Sequence, residues 1–317
     1  MALGVAFSIK STFGTIPISS ISYSLVLVCY FYTNPFESVN IGTVISAFLV
    51  GFTLRQIAKL YNHMTGKDIS IVNKWGKNME FGEWNIYYKE ILNDFGFSRE
   101  DDERCAQLLD EILSEEACLT LEDLSKIVGF SDKFIVFGAG PSLKDHIKEL
   151  KESRDLKDYV LVAADGATTA LIEERIAPDI VVTDLDGNLD DILLANLKGA
   201  NIVVHAHGDN SDKIVQITPY FTNVLGTTQA QPLSNVYNFG GFTDGDRAIF
   251  LAVALGASEI ILAGMDFGEI VTKYSRPNLP DITGPADEIK RKKLQYAEKL
   301  TNWIIDNENV EIINLKE

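Results

Sequence analysis

The sequence predicts an α/β protein: a doubly wound, mostly parallel, Rossmann-like sheet preceded by a helical region. Three observations carry this expectation. From Lys133 onward, short β-branched runs alternate with amphipathic segments, the pattern of strands joined by helical crossovers. The runs are continuously apolar, as strands covered on both faces are. Nearly every run ends in Gly or Asp, and in open α/β sheets ligands bind in the crevice beyond the carboxyl ends of the strands.

Strands are expected at FIVFG (134–138), YVLVAAD (159–165), IVVTD (180–184), NIVVHAHGD (201–209) and EIILAGMD (259–266). Helical patterns such as SLKDHIKELKES and DRAIFLAVALGAS lie between several of them. Upstream, residues 79–130 read as helical. Trp84, Tyr87, Tyr88, Ile91, Leu92 and Phe95 recur at spacings of three and four on one apolar face. Ser98 then precedes an acidic first turn, a cap signal. This region is expected to form a helical cap or arm, with its aromatic stripe used for packing.

The 317 residues are 46% hydrophobic and 23% charged, which excludes collagen-like, disulfide-scaffold and disordered classes. A net charge of −17 repels phosphate backbones, so nucleic acid is not an expected partner. Cys29, Cys105 and Cys118 make no CxxC pair, which fits a reducing compartment and offers no thiolate metal site. The charge is uneven: residues 1–78 carry six basic and two acidic side chains, leaving 22 basic against 43 acidic in 79–317. Three segments result: an apolar one over 1–78, the helical region over 79–130 and a catalytic α/β domain over 131–317.

The first segment holds two uncharged stretches, Ser11 to Phe36 and Ser38 to Leu54. The 17 residues of the second would span about 25 Å as a helix against a hydrocarbon core of about 30 Å. It is marginal as a span; the first is adequate but diluted by Ser and Thr. Two expectations stand. One is a membrane hairpin with both ends on the cytoplasmic side, because Arg55, Lys59 and Lys67 follow it. The other is a mis-assigned start, with Met79 opening the native chain. The α/β domain is expected in the cytoplasm, and any membrane contact only through 1–78.

Gly138-Ala139-Gly140-Pro141-Ser142 follows the first strand. Two glycines let a backbone approach a phosphate, and the next helix would aim free N–H groups at it. The plainer reading is a tight turn with Ser142 as N-cap and Asp145 closing a capping box. Asp165-Gly166 ends the second strand and suits ribose, metal or polar-ring recognition. In Thr183-Asp184-Leu185-Asp186-Gly187 an extended backbone would put Asp184 and Asp186 on one side. Paired carboxylates repel unless a cation lies between them, and oxygen ligands suit Mg²⁺. His205 and His207 alternate with no cysteine nearby, so a polar or phosphate-contacting loop reaching Asp209 is favoured over zinc. Asp244, Asp246 and Arg247 open an apolar helix, where Arg247 could grip phosphate bidentately. Lys290 to Lys293 is a dense basic cluster whose members would spread around a helix, although a lysine there could reach a nucleotide phosphate.

The ordered set GAGPSL, ADGA, PDIVVTDLDG, HAHGDN, GFTDGDRA and GMDFG resembles the archaeal 6-hydroxymethyl-7,8-dihydropterin pyrophosphokinase (MptE-like) family over roughly 79–317. A more distant similarity links AADGA and APDIVVTDLDG to the thiamine pyrophosphokinases, from which Thr183 and Gly187 depart. The resemblance implies ATP, Mg²⁺, release of AMP and a pterin alcohol as acceptor; composition and spacing give none of these. On that reading Asp184 and Asp186 hold Mg²⁺, with Asp244 or Asp246 as further ligands. Gly138, Gly140, Ser142, Asp165, Gly166 and Lys293 contact the bound substrates. Asp266 meets the pterin's ring N–H groups, Arg247 stabilises the transferred group, and Asp209 or Asp165 orients the alcohol. A homo-oligomer is expected. Rival readings are a thiamine pyrophosphokinase-like or flagellin-type glycosyltransferase-like enzyme, and a membrane-tethered nucleotide sensor without turnover.

Overall fold

Apolar strands that send alternate side chains to two faces need helices on both, and that requirement organises this chain. The computed structural model describes residues 8–11, 14–17, 79–115, 118–129 and 131–316. The chain divides into two units, Met1–Lys74 and Trp75–Glu317. In the first, β1 (Ser8–Ser11) pairs antiparallel with β2 (Gly14–Pro17). Apart from residues 11 and 14–17, the two uncharged stretches expected to form a hairpin lie outside the described residues. Among the described residues no helix is long and apolar enough to cross a membrane.

The second unit opens with α1 (Phe81–Phe95), α2 (Arg99–Glu115) and α3 (Leu121–Val128). Gly96 ends α1 in the left-handed region, at φ 68. Thr120 and Asp123 start α3 with a reciprocal capping box. Then follow β3 (Lys133–Phe137), α4 (Leu143–Ser153), β4 (Val160–Ala164), α5 (Ala167–Glu173), β5 (Ile180–Thr183), α6 (Leu189–Leu197), β6 (Asn201–Ala206) and α7 (Ser211–Ile217). Next come β7 (Val224–Thr228), β8 (Val236–Tyr237), α8 (Asp244–Ala254) and β9 (Glu259–Ala263). An antiparallel hairpin of β10 (Ile270–Thr272) and β11 (Thr283–Pro285) precedes α9 (Glu288–Asn307) and β12 (Glu311–Asn314).

The sheet has eight strands in the order β12-β9-β3-β4-β5-β6-β7-β8, and every neighbouring pair is parallel. The chain steps outward from β3 to β8, then crosses back to place β9 on the other side of β3. The strand order therefore reverses between β3 and β9, the kind of point at which open α/β sheets bind ligands. The five expected strands fall where the apolar runs lie. Strands β7 (VLGTT), β8 and β12 were not expected, because none carries a sustained apolar run.

Alternation splits the core in two. Phe134, Val136, Val162, Val182 and Leu262 pack with α1, α8 and α9 on one face. Ile135, Phe137, Ala163, Val181 and Ile261 pack with α2 and α4 to α7 on the other. The helical region over 79–130 is thus no detached cap or arm, since α1 joins one core and α2 the other. Polar bonds fasten it further. Asp102, 2% exposed, accepts from Tyr88 Oη at 2.6 Å, Gln229 Nε2 at 2.8 Å and the Gly208 N–H at 2.7 Å. Trp84 Nε1 donates to the Gln229 carbonyl at 2.8 Å.

Trp84→Ala removes a fully buried ring and one of the two side-chain donors to the Gln229 carbonyl, leaving Asn238 Nδ2 at 3.0 Å. It is expected to lower unfolding free energy by about 3–5 kcal/mol, read from the urea midpoint. A loss under about 1 kcal/mol, the scale of an ordinary substitution, would mean that α1 is peripheral to the core.

Candidate active site

A cavity of about 430 Å³ opens beyond the carboxyl ends of the strands. Asp165, Asp184 and Asp244 meet in it, with carboxylate oxygens within 4.8 Å of one another. Asp165 follows β4, Asp184 follows β5, and Asp244 is the first residue of α8. Two of the connections take backbone conformations rare for side-chain-bearing residues, with Asp165 at φ 42 and Leu185 at φ 68. Thr183 Oγ1 donates to Asp165 Oδ1 at 2.6 Å and accepts the Leu185 N–H at 2.8 Å, so one buried hydroxyl ties the two turns together. A Cβ at Gly187 would meet Asp165 Oδ2 at 2.6 Å, so this approach requires glycine.

The turn at Leu185 breaks the alternation that would have put Asp184 and Asp186 side by side. Asp186 instead ion-pairs with Lys213 and its side chain is 63% exposed; it stands outside the carboxylate trio. Asp246 is not in the trio either. Its carboxylate accepts from the Phe242 and Thr243 N–H groups at 2.7 Å each and from the Thr243 hydroxyl, which makes it the closing member of the α8 capping box. The third member of the trio is Asp165.

Burial, and then the charge of Asp184, push Asp165 up to about 7. The same causes in the same order raise Asp244 well above the carboxylate range. Burial works to raise Asp184 too, but the hydrogen bond and charge of His207, helped by Arg247 and Lys293, hold it below that range. Burial, reinforced by one ionised carboxylate, therefore pushes the two neighbours toward the protonated form. A divalent cation would relieve the repulsion, and three oxygen donors at this spacing fit Mg²⁺.

His207 Nδ1 lies 2.6 Å from Asp209 Oδ1 and its Nε2 3.5 Å from Asp184 Oδ2. Burial would lower its pKa, but the two carboxylates overcome this and raise it to about 9, so the ring is cationic at neutral pH. The His207 hydrogen bond in turn holds Asp209 below the ordinary range. His205 is spent elsewhere, buried with Nδ1 3.1 Å from Thr227 Oγ1.

The glycine loop differs from the expected phosphate cradle. The Gly138 N–H donates to Ala263 O at 2.8 Å and the Gly140 N–H to Gly264 O at 2.9 Å. Asp266 Oδ2 accepts both the Ser142 N–H, at 3.1 Å, and its hydroxyl, at 2.9 Å. An internal carboxylate thus sits at the start of α4, where a phosphate was expected. The same contacts leave Ser142 without a capping bond and occupy one of the two Asp266 oxygens expected to meet a pterin. The glycines serve close packing: a Cβ on Gly140 would lie 2.0 Å from Asp266 Oδ2, and one on Gly166 1.8 Å from the Tyr274 carbonyl. Arg247 is anchored rather than free, with Nη1 3.1 Å from Asp244 Oδ1 and Nη2 3.5 Å from Gln229 Oε1.

Cations come from α9. Lys290 and Lys293, three residues apart, both line the cavity, and neither has an ion-pair partner among the described residues. Lys292 is turned away to Asp94, at 3.2 Å. Lys293 Nζ lies 5.8 Å from the ring of Phe97 and 5.7 Å from that of Phe242. Asp209 and Asp266 also line the cavity. Phe97 and Gln229 line the site although the sequence did not single them out; His207 and Lys290, read there as members of a polar loop and a basic cluster, line it too, and the three-residue spacing of Lys290 and Lys293 was a legible signal.

A parallel doubly wound sheet with a carboxylate trio at its strand ends, in a cavity also lined by two lysines, defines a Rossmann-like α/β protein with a polar site at the switch point of its sheet. Residues 103–272 match the family described as 6-hydroxymethylpterin diphosphokinase MptE-like. The 6-hydroxymethyl-7,8-dihydropterin pyrophosphokinase of Methanothermobacter thermautotrophicus is 53% identical over 234 residues, 74% of this chain and 99% of that protein. The protein of the same name from Methanocaldococcus jannaschii is 46% identical over 241 residues, 74% of this chain and all of that protein. The chain belongs to the MptE-like family and to its diphosphotransferase class. A solved Bacillus subtilis thiamine pyrophosphokinase is 17% identical at a TM-score of 0.28, over 57% of this chain and 58% of that one, a likeness too weak to argue from.

Asp165 ionises near 3.8 in an unfolded chain and near 7 in the folded one. The cost of burying its charge is absent at pH 4, grows as pH rises to 7 and is constant above. Asp165→Asn is therefore expected to stabilise the metal-free protein by about 1–4 kcal/mol at pH 8 and by little at pH 4, read from urea midpoints. Equal effects at both pH values would contradict this.

Proposed function

We propose that the protein transfers diphosphate from ATP to 6-hydroxymethyl-7,8-dihydropterin, giving the pterin diphosphate and AMP in a Mg²⁺-dependent reaction. The carboxylate trio supports this reading most directly, because three carboxylates that repel one another are a costly arrangement unless a cation is part of the working state. The names of the relatives support the choice of substrate. Asp165, Asp184 and Asp244 would hold Mg²⁺, which would supply neutralisation of the phosphate charge.

The alcohol oxygen attacks the β-phosphorus of ATP in line, the bond to the α,β-bridging oxygen breaks, and AMP leaves with that oxygen. This chemistry needs alignment and charge neutralisation more than covalent help. Lys290 and Lys293 receive the phosphate chain, in place of the glycine loop. Asp209 orients the alcohol. Its lowered pKa makes it a hydrogen-bond acceptor rather than a strong base, so the alcohol's proton leaves to solvent as the new O–P bond forms. Phe97 and Phe242 offer aromatic faces to a flat heterocycle at the cavity wall.

The test is to give the full chain ATP, Mg²⁺ and the reduced pterin alcohol and to follow AMP. AMP release that requires the pterin supports the reading; release with thiamine but not with the pterin would end it. Asp184→Asn is expected to abolish turnover. Lys290→Ala and Lys293→Ala are each expected to raise KM for ATP about tenfold, the loss of one charge-assisted contact. Unchanged KM in both would move the phosphates elsewhere. Phe97→Ala is expected to raise KM for one ring-bearing substrate by about threefold to tenfold and to leave the other unchanged.

A further inference from the structure

Behind the carboxylates lies a second, much smaller cavity of about 10 Å³, walled by Val182, Val203, Phe239 and Leu251 and bordered by His205 and Arg247. That is room for one water molecule. Two fully buried polar atoms have no hydrogen-bond partner among the described residues on these same two side chains, His205 Nε2 and Arg247 Nε. His205 is 2% exposed and Arg247 7%. An unmet buried donor or acceptor loses its hydration with nothing in exchange, so two on side chains lining one void call for a shared partner.

Their polarity can be derived. Thr227 Oγ1 donates its only hydrogen to the Val204 carbonyl, at 3.2 Å. That hydroxyl orientation matches the tautomer of His205 with its ring hydrogen on Nδ1, 3.1 Å from Oγ1. Burial keeps the ring neutral, so Nε2 is a bare acceptor. Arg247 Nε–H is a donor. An unpartnered donor and an unpartnered acceptor on two side chains that line one void suit a molecule that accepts from the first and donates to the second.

We propose that one buried water bridges Arg247 Nε and His205 Nε2, and that through it His205 is a positioning residue for Arg247 and hence for Asp244. Arg247 already holds Asp244 through Nη1 and reaches Gln229 through Nη2. The bridge fixes the remaining edge of the guanidinium, so Asp244 is presented by a fully tethered cation. The water itself is independent of the reaction proposed above; the consequence for cation binding rests on it.

Two measurements test this on the full chain. In a crystal structure, density for a water within hydrogen-bond distance of both atoms is expected; a dry cavity, or either atom bonded to a protein group instead, overturns the bridge. Mn²⁺ affinity, measured by electron paramagnetic resonance, should weaken about tenfold in His205→Leu, the scale on which partners of metal ligands act. It should stay within about threefold of the unaltered chain in His205→Gln, whose amide can keep an acceptor near the Nε2 position. Equal weakening in both variants, or none in the leucine variant, overturns the positioning role. Should His205→Leu not fold, the crystal density and the glutamine variant still decide. Failure of the unaltered chain to bind Mn²⁺ would end the cation reading and the positioning role with it, while the density would still judge the water.

Discussion

Three carboxylates whose oxygens lie within 4.8 Å of one another cannot all carry charge in a recessed site without a cation. Much of the surrounding structure follows from that constraint. Asp184 is kept ionised by the imidazolium of His207, and burial, together with the Asp184 charge, raises Asp165 and Asp244. The folded chain thus stores a repulsion that burial of apolar strands must offset. A divalent ion bound there would turn the same arrangement from a cost into an affinity and would couple cation uptake to proton release.

The scaffold holds this trio by devices that act only together. The parallel sheet delivers Asp165 and Asp184 from adjacent strands. The Thr183 hydroxyl fixes both turns, Gly187 leaves room for the Asp165 carboxylate, and the Asp246 capping box starts α8 with Asp244 facing inward. A buried chain of contacts runs from Tyr88 through Asp102 and Gln229 to Arg247 and Asp244. The two N-terminal helices of the second unit therefore reach the site, although each is embedded in a different core.

Much of the fold was legible because its signals are local. Continuous apolar runs ending in Asp or Gly marked β3 to β6 and β9, and the aromatic stripe marked α1. The site was legible in part. Asp184 and Asp244 sit at strand and helix ends that the sequence marks, but the choice among neighbouring carboxylates depended on backbone detail. Leu185 adopts a left-handed conformation that nothing in its side chain announces, and this swings Asp186 to Lys213. Asp246 is three residues past Thr243, a spacing that serves a cap as well as a cation. The glycine loop lines the cavity, but its internal partner was illegible for a related reason. Its glycines are needed for close approach, but what approaches is the β9 loop, whose Asp266 fills the helix start. That contact joins residues 124 positions apart, beyond the reach of any local pattern.

The central claim is that these three carboxylates form one cation site. The most direct measurement is the anomalous scattering of crystals of the full chain soaked in Mn²⁺. The account predicts a peak about 2.0–2.4 Å from oxygens of Asp165, Asp184 and Asp244, the range of hard-cation coordination. A peak held by Asp186 or Asp246 instead, or no peak within the trio, would contradict it.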